Sequence, residues 1–331
     1  MKNNTIRYQK LLVIVSVLLF VLKLVAWLLT HSVAILTDAI ESTVNVIAAF
    51  LGLYSVILSA KPKDKEHPYG HGKVEFITSA IEGILISLAG MIIIYEAINN
   101  LRYPHQLKHL DIGLLLIATT AVVNYVVGYF CVKEGRKQNS PVLIGGGEHL
   151  KSDTYSTLGL ILGILAVWFT GNLKLDSAVA IVFALFIVYT GYKIIRKSVS
   201  GMMDEADQSI IAEIVTLMNG HAKTSWIDVH NLRVIDYAGF YHIDCHVTVP
   251  YYLNVNEAHQ IVDEISHSFR SHFKDRVEFF IHVDACLPFQ CALCLNEDCT
   301  FRKHAFVQRI KYTVENIQSN EKHQLITSKM L

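Results

Sequence analysis

Residues 33–58 decide the fold, and they read VAILTDAIESTVNVIAAFLGLYSVIL. The stretch is long and apolar enough to cross a bilayer as a helix, which takes about 20 residues. It nevertheless contains Asp38, Glu41 and Asn45, whose spacings of three and four residues place them on one helix face. Charged side chains are costly inside a bilayer, so their presence there indicates a function. The stretch therefore predicts a membrane span that carries a polar site.

Five more apolar stretches flank this one. They cover residues 11–29, 76–98, 112–132, about 150–170 and 178–195. Of the 331 residues, 52% are hydrophobic and only 18% are charged, compared with about 25% charged in a typical soluble domain. Lys and Arg balance Asp and Glu, 29 against 29, so no basic excess indicates a nucleic-acid partner. We predict a polytopic α-helical membrane protein with six transmembrane helices, rather than a cytosolic enzyme.

The short loops between these spans predict the orientation. With six spans, one side of the membrane carries only Arg102, Lys108 and Lys174. The other side carries thirteen basic residues: Lys2, Arg7, Lys10, Lys61, Lys63, Lys65, Lys73, Lys133, Arg136, Lys137, Lys193, Arg196 and Lys197. Loops rich in Lys and Arg stay in the cytoplasm. Both termini are therefore predicted to be cytoplasmic.

The pattern becomes that of a soluble domain after about residue 201. Residues 208–218 have helical periodicity, residues 228–235, 241–249 and 277–283 resemble strands, and Asn254 with Glu257 resembles a capping box that opens a second helix. This order predicts a small cytoplasmic α+β domain of α-β-β-α-β, ferredoxin-like topology. We therefore divide the chain into a transmembrane domain (1–200), a cytoplasmic domain (201–285) and a polar, mobile, Cys-containing C-terminal tail (286–331).

A second polar pair lies at the start of the fifth span. His149 and Asp153 are four residues apart and share a helix face. Two helices that each offer two nitrogen or oxygen ligands can close a four-coordinate site, and imidazole with carboxylate suits Zn²⁺. The alternative is a structural polar contact between helices. Paired acids and a His at ligand spacing in two spans favour the metal site.

The loop after the second span contains a possible second site. Asp64, His67 and His71 lie within eight residues and would face the cytosol. An acid and two imidazoles can bind a metal, although a polar loop contains such residues without one. On spacing alone the two interpretations stay open.

The predicted soluble domain is rich in His. His242, Asp244 and His246 alternate along one strand and so share a face, as do His282 and Asp284 on another strand. A lone His is more often a surface residue or a satisfied core residue than a ligand. The convergence of two strands and a helix favours metal binding. The residues involved also include His230 on the first strand and His259 on the second helix.

Four cysteines follow the last predicted strand. Cys286, Cys291, Cys294 and Cys299 form a C-x4-C-x2-C-x4-C cluster. In a reducing cytosol, clustered cysteines bind metal more often than they form disulfides. Four thiolates suit Zn²⁺, and an iron–sulfur cluster is the alternative.

Taken together, the chain resembles the cation diffusion facilitator family over about residues 10–285. The resemblance is carried by LTDAIESTVN at 36–45, HPYGHGKVE at 67–75 and HLKSD at 149–153, besides the arrangement of spans and soluble domain. It implies a homodimer in a lipid bilayer that exports divalent metal from the cytosol in exchange for protons. It also implies that the cytoplasmic domain dimerises and senses metal.

The resemblance assigns ligands residue by residue. The transport site falls on Glu41, Asn45, His149 and Asp153, where Glu41 and Asn45 depart from the family's usual Asp or His and Asp. This departure bears on metal preference and brings Asp38 into consideration as a further ligand. The loop site falls on Asp64, His67 and His71. The cytoplasmic sites fall on His230, His246, His259, His282 and Asp284, whereas the four-Cys cluster is not general in the family.

Three alternative functions remain. The harder oxygen ligands Glu41 and Asn45 suit an exporter of Fe²⁺, Mn²⁺ or Co²⁺, while His149 favours Zn²⁺. A membrane-anchored metal sensor or store would use the soluble domain alone. A membrane metallohydrolase would need an open metal position and a general base, and neither H-E-x-x-H nor a nucleophile elbow is present. We expect no enzyme activity and a location in the inner membrane of a bacterium.

Overall fold

The computed structural model describes residues 2–30, 33–102, 111–171, 174–221 and 223–325. The chain divides into two compact units, Met1–Met203 and Asp204–Leu331. The first unit is helical, and the second combines helices with a sheet.

Long helices form the first unit. They are α1 (Lys2–Thr30), α2 (Val33–Ser59), α3 (Val74–Arg102), α4 (Asp111–Gln138), α5 (Pro141–Thr170) and α6 (Lys174–Met202). Large apolar side chains such as Phe50, Ile92 and Val182 are exposed on their outer faces, which is favourable against lipid. Within the described residues, Thr5–Val25, Val74–Asn99 and Ser177–Met202 are long and apolar enough to cross a membrane. The prediction of a helical transmembrane domain is confirmed, and the count of six spans stays a prediction.

Glycines allow two pairs of these helices to approach closely. A Cβ added to Gly191 of α6 would lie 2.7 Å from the carbonyl oxygen of Gly83 and 2.9 Å from the amide nitrogen of Ser87, both on α3. A Cβ on Gly147 of α5 would lie 2.9 Å from the carbonyl oxygen of Gly128 on α4. Small residues permit such backbone contact between helices in a membrane. The helix pairs α3–α6 and α4–α5 therefore depend on these positions.

The second unit has the predicted α-β-β-α-β order. Its elements are α7 (Gln208–His221), β1 (Asp228–Asp236), β2 (Tyr241–Val249), α8 (Val255–Phe273) and β3 (Val277–Ala285). The sheet order is β1-β2-β3, with an antiparallel first pair and a parallel second pair. Both hydrogen bonds of the predicted capping box between Asn254 and Glu257 are present. The helices and one sheet face bury a common core that includes Ile214, Ile243, Ile265 and Phe269.

The described part of the chain after β3, residues 286–325, is called the C-terminal segment below. It differs from the predicted mobile tail because it packs on the second unit. Tyr312 and Ile317 are buried in the core of that unit, at 4% and 0% exposure. The backbone amides of Asn231 and Leu232 in β1 donate to the carbonyls of Ser319 (2.7 Å) and Ile317 (3.0 Å). These pairings occur where the β1–β2 register shifts between His230 and Arg233.

Candidate metal centres

Three of the four predicted intramembrane ligands meet between α2 and α5. Nδ2 of Asn45 donates to Oδ2 of Asp153 over 2.7 Å, and Nε2 of His149 lies 2.6 Å from Oδ1 of Asn45. His149 Nε2 and Asp153 Oδ1 are 4.0 Å apart, as the four-residue spacing on α5 predicts. His149 is buried and Asp153 is half-buried. The side chains of Glu41 and Asp38 lie outside the described part of the chain.

The hydrogen bonds of Asn45 fix where the protons sit. A carboxylate only accepts, so the amide NH₂ of Asn45 must face Asp153. The amide oxygen therefore faces His149, and Nε2 of that imidazole must carry a proton in this arrangement. A metal bound at Nε2 would replace this hydrogen bond, and the neutral imidazole would then carry its proton on Nδ1.

A small cavity of about 20 Å³ adjoins this site. Its lining includes Asn45 and His149 together with Gln9, Ser16 and Glu82. Glu82 on α3 is 2% exposed and lies beside the glycines at 145 and 146 of α5. Sequence spacing alone does not assign Glu82 to the site, because it lies on a third helix with no partner at ligand spacing.

The loop between α2 and α3 brings its three predicted ligands together. Asp64 Oδ1 is 3.2 Å from His67 Nδ1, Asp64 Oδ2 is 3.4 Å from His71 Nε2, and the two imidazole centroids are 4.3 Å apart. The backbone N–H of His67 donates to Asp64 and is the main reason why the pKa of this carboxyl lies below its usual range. Gly70, at φ +96°, makes the turn that returns the chain to His71.

The sheet of the second unit brings four more predicted ligands together. His230, His246 and His282 occupy matching positions on the three strands. Asp284 Oδ2 lies 3.1 Å from His246 Nδ1 and 3.4 Å from His230 Nε2, and Asp284 Oδ1 lies 3.8 Å from His282 Nε2. Burial is the main cause that lowers the pKa of His230, which favours the neutral imidazole that a metal requires.

His259 is not among the side chains that meet there. It lies on α8, is 71% exposed, and its Nε2 is 3.8 Å from Asp263 Oδ2. Within one described chain, the predicted cytoplasmic site is therefore formed by the three strands without the helix.

Two residues beside the sheet site were not predicted. Asp228 is fully buried, and its carboxylate lies 3.7 Å from His230 Nδ1, while Lys322 places its Nζ 3.6 Å from Asp284 Oδ1. Asp228 shares a strand face with His230 two residues later, so alternation could have indicated it. Lys322 could not have been found, because only the folding of the C-terminal segment brings it there.

The four predicted cysteine ligands line one further cavity. Cys286, Cys291, Cys294 and Cys299 surround it together with Tyr252 and Arg302. All four are free thiols in this structure.

Comparison with known proteins identifies the family of both units. The family of cation efflux transmembrane domains matches residues 10–203, and the family of cation efflux protein cytoplasmic domains matches residues 206–286. An uncharacterized transporter of Synechocystis is 30% identical over 74% of this chain and 79% of its own length. The manganese efflux system protein MneP of Bacillus subtilis and the cation-efflux pump FieF of Pectobacterium atrosepticum are each 27% identical over 82% of this chain, covering 93% and 89% of the relatives.

The chain therefore belongs to the cation diffusion facilitator family of cation efflux proteins. It is a membrane-embedded transporter of divalent metal cations and not an enzyme. Its cytoplasmic domain is the dimer-forming domain of this family, so the functional unit is a homodimer.

Proposed function

We propose that this transporter exports Zn²⁺ from the cytoplasm in exchange for protons, by alternating access at the site between α2 and α5. The observation that carries the proposal is the convergence of Asn45, His149 and Asp153. These groups lie inside the membrane unit, where polar side chains with no function are costly. An imidazole beside a carboxylate suits Zn²⁺ better than the alkaline-earth cations.

The titratable side chains at this site can couple metal binding to proton release. A neutral imidazole can move its one proton to Nδ1 when Zn²⁺ binds Nε2, so net proton release requires that His149 is an imidazolium, or that Asp153 is protonated, before the metal enters. An unperturbed imidazole titrates near pH 6.5, so acidity on the far side of the membrane favours protonation and metal release. Glu41 is proposed as the fourth ligand, with Asp38 nearby on the same helix face.

The second candidate cargo is Mn²⁺ or Fe²⁺, with Co²⁺ as a further possibility. Asn45 and Asp153 offer oxygen atoms, which harder cations prefer. The names of the relatives include manganese efflux proteins from Bacillus subtilis. Selectivity would then follow from the amide at position 45, which is neutral where a carboxylate would add charge.

The metal sites in the sheet of the second unit and in the loop between α2 and α3 are proposed to regulate the transport cycle. His230, His246, His282 and Asp284 would bind a resident metal in the cytoplasmic domain, with His259 as a further ligand, and Asp64, His67 and His71 would bind one in the loop. Metal at these sites favours one conformation only if it binds that conformation more tightly. A sensor or store with no transport is the competing class.

The experiment is metal flux into liposomes that contain the purified protein, with a pH gradient present or absent. Zn²⁺, Fe²⁺ and Mn²⁺ are tested side by side, in wild type and in His149→Ala. We expect Zn²⁺ flux that follows the gradient and is lost in the variant. Flux of only Fe²⁺ or Mn²⁺ would make a harder cation the cargo, and no flux from a folded dimer that binds Zn²⁺ would favour the sensor.

A further inference from the structure

The cavity lined by the four cysteines lies between the C-terminal segment and Ile227, Pro250 and Tyr252. It is distinct from the intramembrane, loop and sheet sites. Cys286 directly follows β3, and its backbone N–H donates to the carbonyl of Val249 at the end of β2 over 3.0 Å. Cys291 lies in a short 3-10 turn (Pro288–Ala292), and Cys294 and Cys299 follow in irregular chain. The four side chains nevertheless line the same cavity. A spacing that looks like a metal-binding cluster in sequence thus converges in space.

Backbone N–H groups point at three of the four sulfur atoms. Lys303 N lies 3.4 Å from Cys291 Sγ, and the backbone of Tyr251 and of Asn296 hydrogen-bonds to Cys286 and Cys294 respectively. A neutral thiol is only a weak acceptor, whereas a thiolate gains from each N–H donor. Burial raises the pKa of the Cys286 and Cys294 thiols, and the N–H donors partly oppose this effect. A bound metal would supply the remaining stabilisation of the thiolates that it needs as ligands.

Arg302 cross-links the backbone of the cysteine-containing loop, residues 286–309. Its guanidinium donates to the carbonyl oxygens of Cys291 (3.1 Å) and His304 (3.3 Å), and to those of Cys294 (2.8 Å) and Asn296 (2.7 Å). One cation thus binds the backbone on both sides of the C-x2-C pair. Its positive charge also lies beside the cluster, where it offsets part of the negative charge of four thiolates.

The loop has little hydrophobic core of its own. Phe289, Phe301, Phe306 and Val307 are all at least 36% exposed, and Leu293 is its one large apolar side chain below 2% exposure among residues 286–309. Small units with so little buried apolar surface usually need a metal or disulfides to be stable. The four cysteines are free thiols, which can supply such a cross-link by binding a metal.

We propose that Cys286, Cys291, Cys294 and Cys299 bind one Zn²⁺ ion that stays in the protein as a structural centre and is not the transported cargo. The cavity that they line has a volume of about 20 Å³, enough to hold about one water molecule. One ion fits this space. Tetrahedral binding at about 2.3 Å requires the sulfurs to close around the ion.

The first test is the metal content of the full-length protein purified in detergent and treated with a weak chelator. We expect Cys294→Ala to retain one Zn²⁺ fewer per chain than wild type. Cys245→Ala is the matched control, because Cys245 is buried in the sheet core away from the cavity and should keep the full content. Equal zinc in wild type and Cys294→Ala would overturn the proposal, as would iron with acid-labile sulfide in place of zinc.

A second measurement needs no substitution and so does not depend on a variant that folds. Wild-type protein is alkylated with iodoacetamide before and after a strong chelator, and modified cysteines are identified by mass. We expect all four cysteines to be protected until the ion is removed, together with faster hydrogen exchange in residues 287–309 afterwards. Alkylation at the same rate before and after chelation would contradict a bound metal.

The two proposals fail separately. Replacing Asp153 should abolish flux and leave the retained zinc unchanged. Loss of the cysteine-bound zinc with flux intact would confirm a structural ion that is distinct from the cargo. Zinc in the cysteine cluster that exchanges with transported metal during turnover would contradict it.

Discussion

At Asn45 a single amide joins an imidazole to a carboxylate within the membrane unit. Its donor and acceptor are fixed, so it holds His149 and Asp153 in one orientation without adding charge. A carboxylate at this position would instead repel Asp153 whenever no metal was bound. We infer that the neutral amide lets the empty site persist inside the membrane, at the cost of weaker attraction for the cation.

The substitution Asp153→Ala tests the intramembrane site most directly. It removes a charged ligand from the site, and we expect the rate of Zn²⁺ transport to fall by more than about 100-fold. Loss of a residue that only hydrogen-bonds to a metal ligand already lowers metal affinity or activity by about 10–100-fold. The dimer should remain intact, because its dimer-forming domain is the other unit. Flux into liposomes and the mass of the detergent-solubilised particle measure the two effects. The control is Glu96→Ala, which removes an exposed carboxylate of α3 and should leave the flux unchanged. Undiminished flux in Asp153→Ala would show that Asp153 is not a ligand.

Spacing in the sequence was sufficient to group residues that belong to one element or to paired strands. His149 and Asp153, the Asp64 loop, and the three His on adjacent strands all meet as the helical and strand periods require. The direction of the hydrogen bonds around Asn45 could not be predicted, because it depends on which helix faces which. The same limit applies to Lys322, which reaches Asp284 from 38 residues further along the chain.

Among the helices, α3 and α6 are held together by backbone contact at Gly83 and Gly191. Lipid tails are as apolar as Leu, so helices in a membrane associate through close packing more than through the hydrophobic effect. A methyl group added at Gly191 would clash with the Ser87 hydroxyl, and also with backbone atoms of Gly83 (2.7 Å) and Ser87 (2.9 Å) that cannot rotate away.

Gly191→Ala should therefore destabilise the membrane unit by about 1–3 kcal/mol, the usual cost of overpacking. The temperature of half-unfolding of the full-length protein in detergent reports this change. Gly220→Ala is the matched control, because a Cβ there meets nothing within 4 Å and improves helix propensity by about 1 kcal/mol. An unchanged melting temperature in Gly191→Ala would show that the crossing can separate at no cost.

The C-terminal segment is attached to β1 through His323. Its Nδ1 is 2.6 Å from Asp228 Oδ1, and its backbone N–H donates to Asp228 Oδ2. Burial alone would lower the pKa of His323, but the hydrogen bond and the charge of Asp228 raise it above its usual value. The protonated pair therefore stabilises the attached segment fully below the unfolded pKa, near 6.5, and this contribution is lost as the pH rises through the folded pKa.

Hydrogen exchange of the Asn231 and Leu232 amides measures this attachment, since both donate to the segment. With metal chelated and intrinsic rates corrected, we expect stronger protection at about pH 6 than at about pH 9. His323→Ala should remove the difference, whereas the exposed His267→Ala should keep it. Protection that is independent of pH in wild type would contradict the role of His323.

The packing of this segment could not be predicted from sequence. Ile310, Tyr312 and Val314 alternate with polar residues, but this run is short and Ile317 lies outside it. Their binding site on the domain is created by the irregularity of β1 near Asn231, about 85 residues earlier. Only the folded domain offers that surface, so the local pattern does not indicate where the segment packs.

For the whole molecule, the distribution of Lys and Arg predicts that the loop between α2 and α3 faces the cytoplasm with both termini. Lys61 and Lys65 in this loop are exposed. A membrane-impermeant amine reagent should label them in inside-out vesicles and leave them unmodified in intact cells. Labelling from the outside of intact cells would reverse the orientation and with it the direction of the proposed export.

The pairing of Ser319 and Ile317 with β1 has a consequence for the sheet as a surface. An outer strand with free N–H and C=O groups is a template on which other chains can add strands and aggregate. Here the C-terminal segment covers part of the β1 edge, and its Ile317 side chain is buried against the domain. A fragment that stops at residue 286, where the match to the family ends, would expose the edge of β1 and the apolar surface that Ile317 covers. Self-association of such a fragment would then reflect the missing cover and not the dimer that the intact transporter forms.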